Sequence, residues 1–148
     1  MVTLPAVQFW VAGVPQPQGS MTAQVRGGRA VMYSANAARL RPWRDAVTFQ
    51  AREAWRAGAW QGVPLEGGVN LRLQFAFLRP ASAAKRPVPH VKPDLDKLQR
   101  AVLDALTGVV YGDDAQVVSV TASKIYRPSG PGVLVAVGAT ETQLELPT

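Results

Sequence analysis

Between Val69 and Tyr126 the apolar residues change their period twice. "VNLRLQFAFL" alternates apolar and polar side chains, the period of a half-buried strand. "DLDKLQRAVLDALTG" then places Leu95, Leu98, Val102 and Ala105 or Leu106 at helical spacing, with Gly108 to end the helix. "AQVVSVTASKIY" alternates again, as does "GVLVAVGA" near the end, with "RPSGPG" as the turn between them. A chain that switches in this way must pack helices against a sheet.

The N-terminal half fits the same plan. "VQFWVAG" (7–13) reads as a first strand, and "AQVRGGRAVMY" as a hairpin with Arg26 and Arg29 beside its Gly27-Gly28 tip. "RPWRDAVTFQAREAWRAG" reads as a helix with Pro42 in its first turn and Gly58 at its end. Its apolar stripe, Trp43, Val47, Ala51 and Ala54 or Trp55, makes the tryptophans core residues rather than base-stacking platforms. The proline-rich stretch 79–93 carries five basic side chains and is expected to be a mobile basic loop; the tail from about 140 is expected to fray. With 148 residues, the expectation is one compact α+β domain. It has a mixed β-sheet, an N-terminal hairpin and two main helices, at about 40–57 and 94–107.

Composition narrows the chemistry. No cysteine means no disulfide, no thiol nucleophile and no Cys-ligated zinc, and a single histidine, His90, argues against a His-rich metal site. Any metal must therefore be held by carboxylate oxygen, which suits magnesium, manganese or calcium. No apolar run is long enough to span a bilayer, and the N-terminus lacks the basic region of a signal peptide. The formal charge is +6, and twelve of the sixteen cations are arginine, so the expected partner is a polyanion such as nucleic acid.

Against that basic background the chain has six aspartates, and five of them fall between Lys92 and Val118: Asp94, Asp96, Asp104, Asp113 and Asp114. Asp94 and Asp96 open the second helix, where aspartate also serves as a cap. Asp104 lies on one helix face with Asp96 and Arg100, and the expected role is an ion pair with Arg100. Asp113 and Asp114 follow the helix and are expected to come near Asp94 and Asp96. Unscreened, such carboxylates would repel by about 4 kcal/mol per pair at 4 Å and an effective dielectric of 20, a penalty that a divalent cation reverses. An acidic knot for a metal within a basic surface for phosphate describes a metal-assisted phosphodiesterase. The alternative is a non-catalytic basic DNA-binding protein whose aspartates only cap a helix and shape a turn.

"DLDKLQRAVLDALTG" followed by "GDDAQVV" resembles the RusA family of endodeoxyribonucleases, which resolve Holliday junctions. "VAGVPQPQGS" and "PWRDAV" resemble its N-terminal half more loosely. The resemblance implies that Asp94, Asp96 and Asp114 are metal-binding catalytic carboxylates, with Asp113 a further metal ligand, and that magnesium, replaceable by manganese, is the cofactor. Arg100 falls where the family has a lysine, and Lys97 where it often has asparagine. Arginine can stabilise charge in that place but cannot donate a proton as lysine can. The family also implies a homodimer that makes paired nicks in a four-way junction, in the cytoplasm of a bacterium or as a phage product, with no organic cofactor. Lys85, Arg86, Lys92, Lys97, Arg26 and Arg29 are the expected DNA contacts. His90 reads as a solvent-exposed loop residue, and Tyr111 and Tyr126 as packing residues.

Overall fold

The computed structural model describes residues 6–19, 21–34, 36–140 and 147. In chain order it contains β1 (Val7–Ala12), β2 (Met21–Arg26), β3 (Arg29–Ser34), α1 (Ala37–Ala57), β4 (Gly68–Phe77), α2 (Leu95–Leu106), β5 (Val117–Tyr126) and β6 (Gly132–Thr140). β2 and β3 form a separate two-stranded hairpin, and its turn works because Gly27 and Gly28 both take positive φ, 57° and 78°. The side chain of Arg26 and residues 141–146 of the tail lie outside the described residues.

The main sheet has the order β1-β6-β4-β5. β6 runs antiparallel to β1 and to β4, whereas β4 and β5 are parallel. A parallel pair cannot be closed by a tight turn and needs a crossover of about a dozen residues or more. The 12-residue α2 is that crossover.

Strand alternation sorts the side chains. Val7, Phe9, Val11, Val69, Leu71, Leu73, Phe75, Val133, Val135 and Val137 face the helices and form the core with Trp43, Val47, Ala51 and Trp55 of α1 and Leu98, Val102, Ala105 and Leu106 of α2. Thr48 Oγ1 donates to the Ala105 carbonyl at 2.8 Å and ties the two helices together. The opposite face carries Gln8, Arg72, Gln74, Thr121 and Ser123, and no described helix covers it. No helix among the described residues is long and apolar enough to cross a membrane.

Two local expectations are corrected. α1 begins at Ala37, three residues before the expected start, so Pro42 sits inside the helix rather than in its first turn. The helix starts early because the Asn36 carbonyl accepts from Arg39 and Leu40, while its side chain donates to the Pro17 carbonyl at 2.7 Å. Pro42 has no N–H to give back to Ala38, but both residues are exposed, on the side where solvent is at hand for that carbonyl. The stretch 79–93 is also not wholly irregular. A 3₁₀ turn at Ala81–Ala83 buries Ala83, and Pro89 is buried beyond it.

β6 passes close to β1 at Gly132, opposite Ala12. A methyl group there would run into the Trp10 ring and the Val11 carbonyl. Gly132→Ala should therefore lower unfolding stability by about 1–3 kcal/mol, an overpacking penalty read from urea denaturation. An unchanged midpoint would mean that this crossing is looser than described.

Candidate active site

α2 opens at Asp94, the cap position, yet the Asp94 side chain makes no capping hydrogen bond. Its carboxylate instead faces a ring of lysines. Lys92 Nζ donates to Oδ2 at 3.3 Å and lies 3.2 Å from Oδ1, and Lys97 Nζ is 3.7 Å from Oδ2. The hydrogen bond from Lys92 holds the Asp94 carboxyl below its ordinary value near 3.8; a small burial penalty opposes it, and the charges of Lys92, Lys97 and Lys124 reinforce it. Asp96 lies exposed in the first turn, and Arg100 is exposed one turn further on. Lys124, near the end of β5, donates to the carbonyls of Val91 and Pro93 at 2.7 and 2.9 Å. It thereby fixes the approach to Asp94 from the strand side.

Asp113 and Asp114 occupy the other end of the helix. Asp113 caps a 3₁₀ turn (Asp114–Gln116): its Oδ1 accepts from Ala115 N at 2.8 Å, and Gln116 Oε1 accepts from Asp113 N at 3.1 Å. The carboxylate of Asp114 has no such task and lies exposed. Tyr111, fully buried, donates its hydroxyl to the Leu103 carbonyl at 2.7 Å. Burial pushes that phenol well above its ordinary value of 10.0, and the charges of Asp114 and Asp104 push it further. An open groove of about 410 Å³ is lined by Arg44, Asp104, Thr107, Gly112, Asp113 and Asp114.

Asp94 and Asp96 therefore stand at one end of α2, and Asp113 and Asp114 at the other. From Asp94 to Asp104 alone the helix rises about 15 Å. Among the described residues no group of three or more His, Cys, Asp or Glu side chains is close enough to hold a metal ion. The expected approach of the two acidic pairs does not occur within one chain, because the crossover helix stands between them. Asp94 and Asp96 are nevertheless oxygen donors of the kind magnesium accepts, one or two to an ion that keeps its waters. One chain thus offers a fitting pair of ligands rather than a closed set.

The remaining expected site residues divide in the same way. Lys85, Arg86, Lys92 and Lys97 lie on or beside the 79–94 segment, at the Asp94 end. Arg86 Nη1 donates to the Tyr126 hydroxyl at 3.2 Å, and the Arg79 guanidinium sits 4.8 Å above the same ring. Tyr126 is thus more than a packing residue: it holds two arginines at the sheet edge. Arg29 is exposed at the hairpin turn, opposite the backbone of Arg26. The hairpin's stem is anchored at the Asp94 end, where Gln18 N donates to the Lys97 carbonyl at 3.0 Å. The expected Arg100–Asp104 ion pair is not made; the described ion pairs are Glu53–Arg56 and those of Asp94 with Lys92 and Lys97. His90 is exposed, as expected. Lys124 and Gln116 were not expected. The signal for Lys124 was a lysine on the helix-facing side of β5, in line with Val120 and Ala122.

Replacing Lys92 with methionine removes the main cause of the depressed Asp94 acidity. The Asp94 titration, followed by carboxyl-carbon NMR, should move up towards 3.8 in Lys92→Met. The stabilisation belonging to this contact is present above 3.8 and fades as pH falls through the folded-state value. It is small, because the group is open to solvent. An unmoved titration would assign the shift to Lys97 and Lys124 instead.

The uncharacterized protein YqaN of Bacillus subtilis (strain 168) is 26% identical over 132 residues, covering 81% of this chain and 87% of that protein. The family described as endodeoxyribonuclease RusA matches residues 12–138, which include β2 to β5, both long helices and β6 up to Gly138, but only Ala12 of β1. The chain belongs to the RusA endodeoxyribonuclease family, whose members act on branched DNA.

Proposed function

We propose that this protein is a divalent-metal-dependent, structure-selective endodeoxyribonuclease that resolves four-way DNA junctions by paired nicks. It works as a two-fold homodimer, in the cytoplasm where its DNA substrate lies, in a bacterium or as a phage product. Each of its two sites takes Asp94 and Asp96 from one protomer and Asp114 from the other. The observation that carries this reading is the pair of solvent-accessible carboxylates at opposite ends of α2 that cap nothing. Asp94 makes no capping bond and is held, among the described residues, only by the solvent-open lysines Lys92 and Lys97, and Asp114 leaves the capping to Asp113.

A two-fold axis running across α2 would bring unlike ends together, with residue i of one copy meeting residue j of the other and the reverse. The acidic end, with Asp104, Asp113 and Asp114, then faces the lysine-rich end of the partner, so the contact is also complementary in charge. Asp94, Asp96 and Asp114 would hold a magnesium ion, with manganese an adequate substitute and Asp113 beside them. When bound, such an ion activates a water and neutralises charge on the phosphate.

The chain's own residues do the rest. Lys85, Arg86, Lys92 and Lys97 take the DNA backbone at the edge where β4 and β5 end, and Arg26 and Arg29 reach it from the hairpin. Arg100 stabilises charge on the cleaved phosphate but keeps its proton. Lys97, already beside Asp94, is the ammonium placed to give a proton to the leaving oxygen.

Asp94→Asn and Asp114→Asn should each abolish nicking of a synthetic four-way junction in magnesium while leaving metal-free junction binding intact or stronger. Mixing the two inactive variants distinguishes a shared site from a single-chain one. In a mixed dimer one site carries both substitutions and the other carries neither. Random mixing should therefore restore about a quarter of the wild-type sites, as single-strand nicks rather than paired cuts. A mixture as dead as its components would exclude the shared site. Nicking by either variant alone at the wild-type rate would remove that aspartate from the chemistry.

A further inference from the structure

The turn that carries Asp114 is held by one side chain. Gln116 Oε1 accepts from Gly112 N at 2.9 Å and from Asp113 N at 3.1 Å. Its Nε2 donates to the Leu65 carbonyl at 2.7 Å and to the Gly67 carbonyl at 3.0 Å. These four bonds use the amide's two acceptor and two donor sites. On one side they close the turn through Gly112 and Asp113. On the other they reach the segment that enters β4, where Leu65 is 8% exposed and its N–H donates to the Val110 carbonyl at 2.9 Å. The turn is thereby fastened to the core rather than merely closed on itself.

We propose that Gln116 is a positioning residue for metal binding: it fixes where Asp114 is presented to the partner protomer. This rests on Asp114 being a metal ligand. The exposed Asp114 side chain has no described hydrogen bond or ion pair of its own, so its position depends on the backbone beneath it. Capping alone does not explain the choice of glutamine. A capping box accepts glutamate as readily as glutamine at this position. Glutamate would keep both acceptor bonds to Gly112 and Asp113, but it would face the carbonyls of Leu65 and Gly67 with oxygen and no proton. It would also add a negative charge next to Asp113 and Asp114. The two donor bonds are what make the amide necessary, and they are the bonds that fasten the turn to the core.

The test uses the full chain, with manganese as the probe. Calorimetry measures manganese affinity in Gln116→Ala, Gln116→Glu and Asp114→Asn. Metal-free junction binding and thermal unfolding are recorded alongside, together with hydrogen exchange at Gly112 and Asp113. Removing a group that orients a metal ligand typically costs about 10- to 100-fold in metal affinity. Both Gln116 variants should show a loss of that size with junction binding unchanged. The Gly112 and Asp113 amides should exchange faster in Gln116→Ala and stay protected in Gln116→Glu. Manganese affinity within twofold of wild type in either folded variant, while Asp114→Asn loses it, would overturn the positioning role. So would failure of both variants to fold, which would make Gln116 a folding residue only. If Asp114→Asn itself binds manganese like wild type, the metal-ligand reading fails instead.

Discussion

The parallel pairing of β4 with β5 sets where the two halves of the candidate site stand in this chain. Because the strands run the same way, the connection between them must travel back along the whole length of the sheet, and α2 makes that journey. Residues just before the helix are left at the edge where the strands end, and residues just after it at the edge where β5 begins. The acidic motif straddles this helix. Its two halves are close in sequence and far apart in space for a reason that belongs to the topology.

Much of this was legible in the residues. The changes of period located β4, α2, β5 and β6, and the Trp43–Val47–Ala51–Trp55 stripe identified the buried face of α1. Capping logic was the weaker guide. Aspartate at the start of a helix suggests a cap, yet Asp94 turns its carboxylate to Lys92 and Lys97, and the aspartate that does cap is Asp113, on a turn too short to show any periodicity. Proximity was least legible. A helix and a short link bring a chain back beside itself, but they return it at the far end, and side-chain pattern does not carry that vector. Gln116 and Lys124 escaped notice because their partners are backbone groups, which leave no trace in the identity of the residues that bear them.

The electrostatics of the two ends differ in kind. At the Asp94 end the cations outnumber the acids, so the carboxylate stays ionised and is already paired with ammonium groups. A divalent ion would compete with two lysines there, and a lysine released from Asp94 is free to take a phosphate. At the Asp114 end the acids gather beside Arg44 and over a phenol whose proton they help to retain. An end with surplus positive charge and an end with surplus negative charge make poor neighbours for their own kind and good ones for each other. That favours the antiparallel, two-fold approach of two copies on which the shared site depends.

Such sharing has a geometric consequence. If each site combines Asp94 and Asp96 of one protomer with Asp114 of its partner, the two sites are as far apart as Asp94 and Asp114 are within a single chain. That distance is on the order of 20 Å, spanned by the rise of α2 and the length of β5. Neither element is a loop. The helix is packed into the core through Leu98, Val102, Ala105 and Leu106, and the strand is held at the sheet edge by pairing with β4 along its length. The fastenings at the ends of β5, Gln116 at one and Lys124 at the other, hold the acidic segments to this rigid span. Paired cuts at symmetric positions across a branch require two reactive centres at a fixed separation. In this chain the crossover that keeps the aspartates apart would also set that separation.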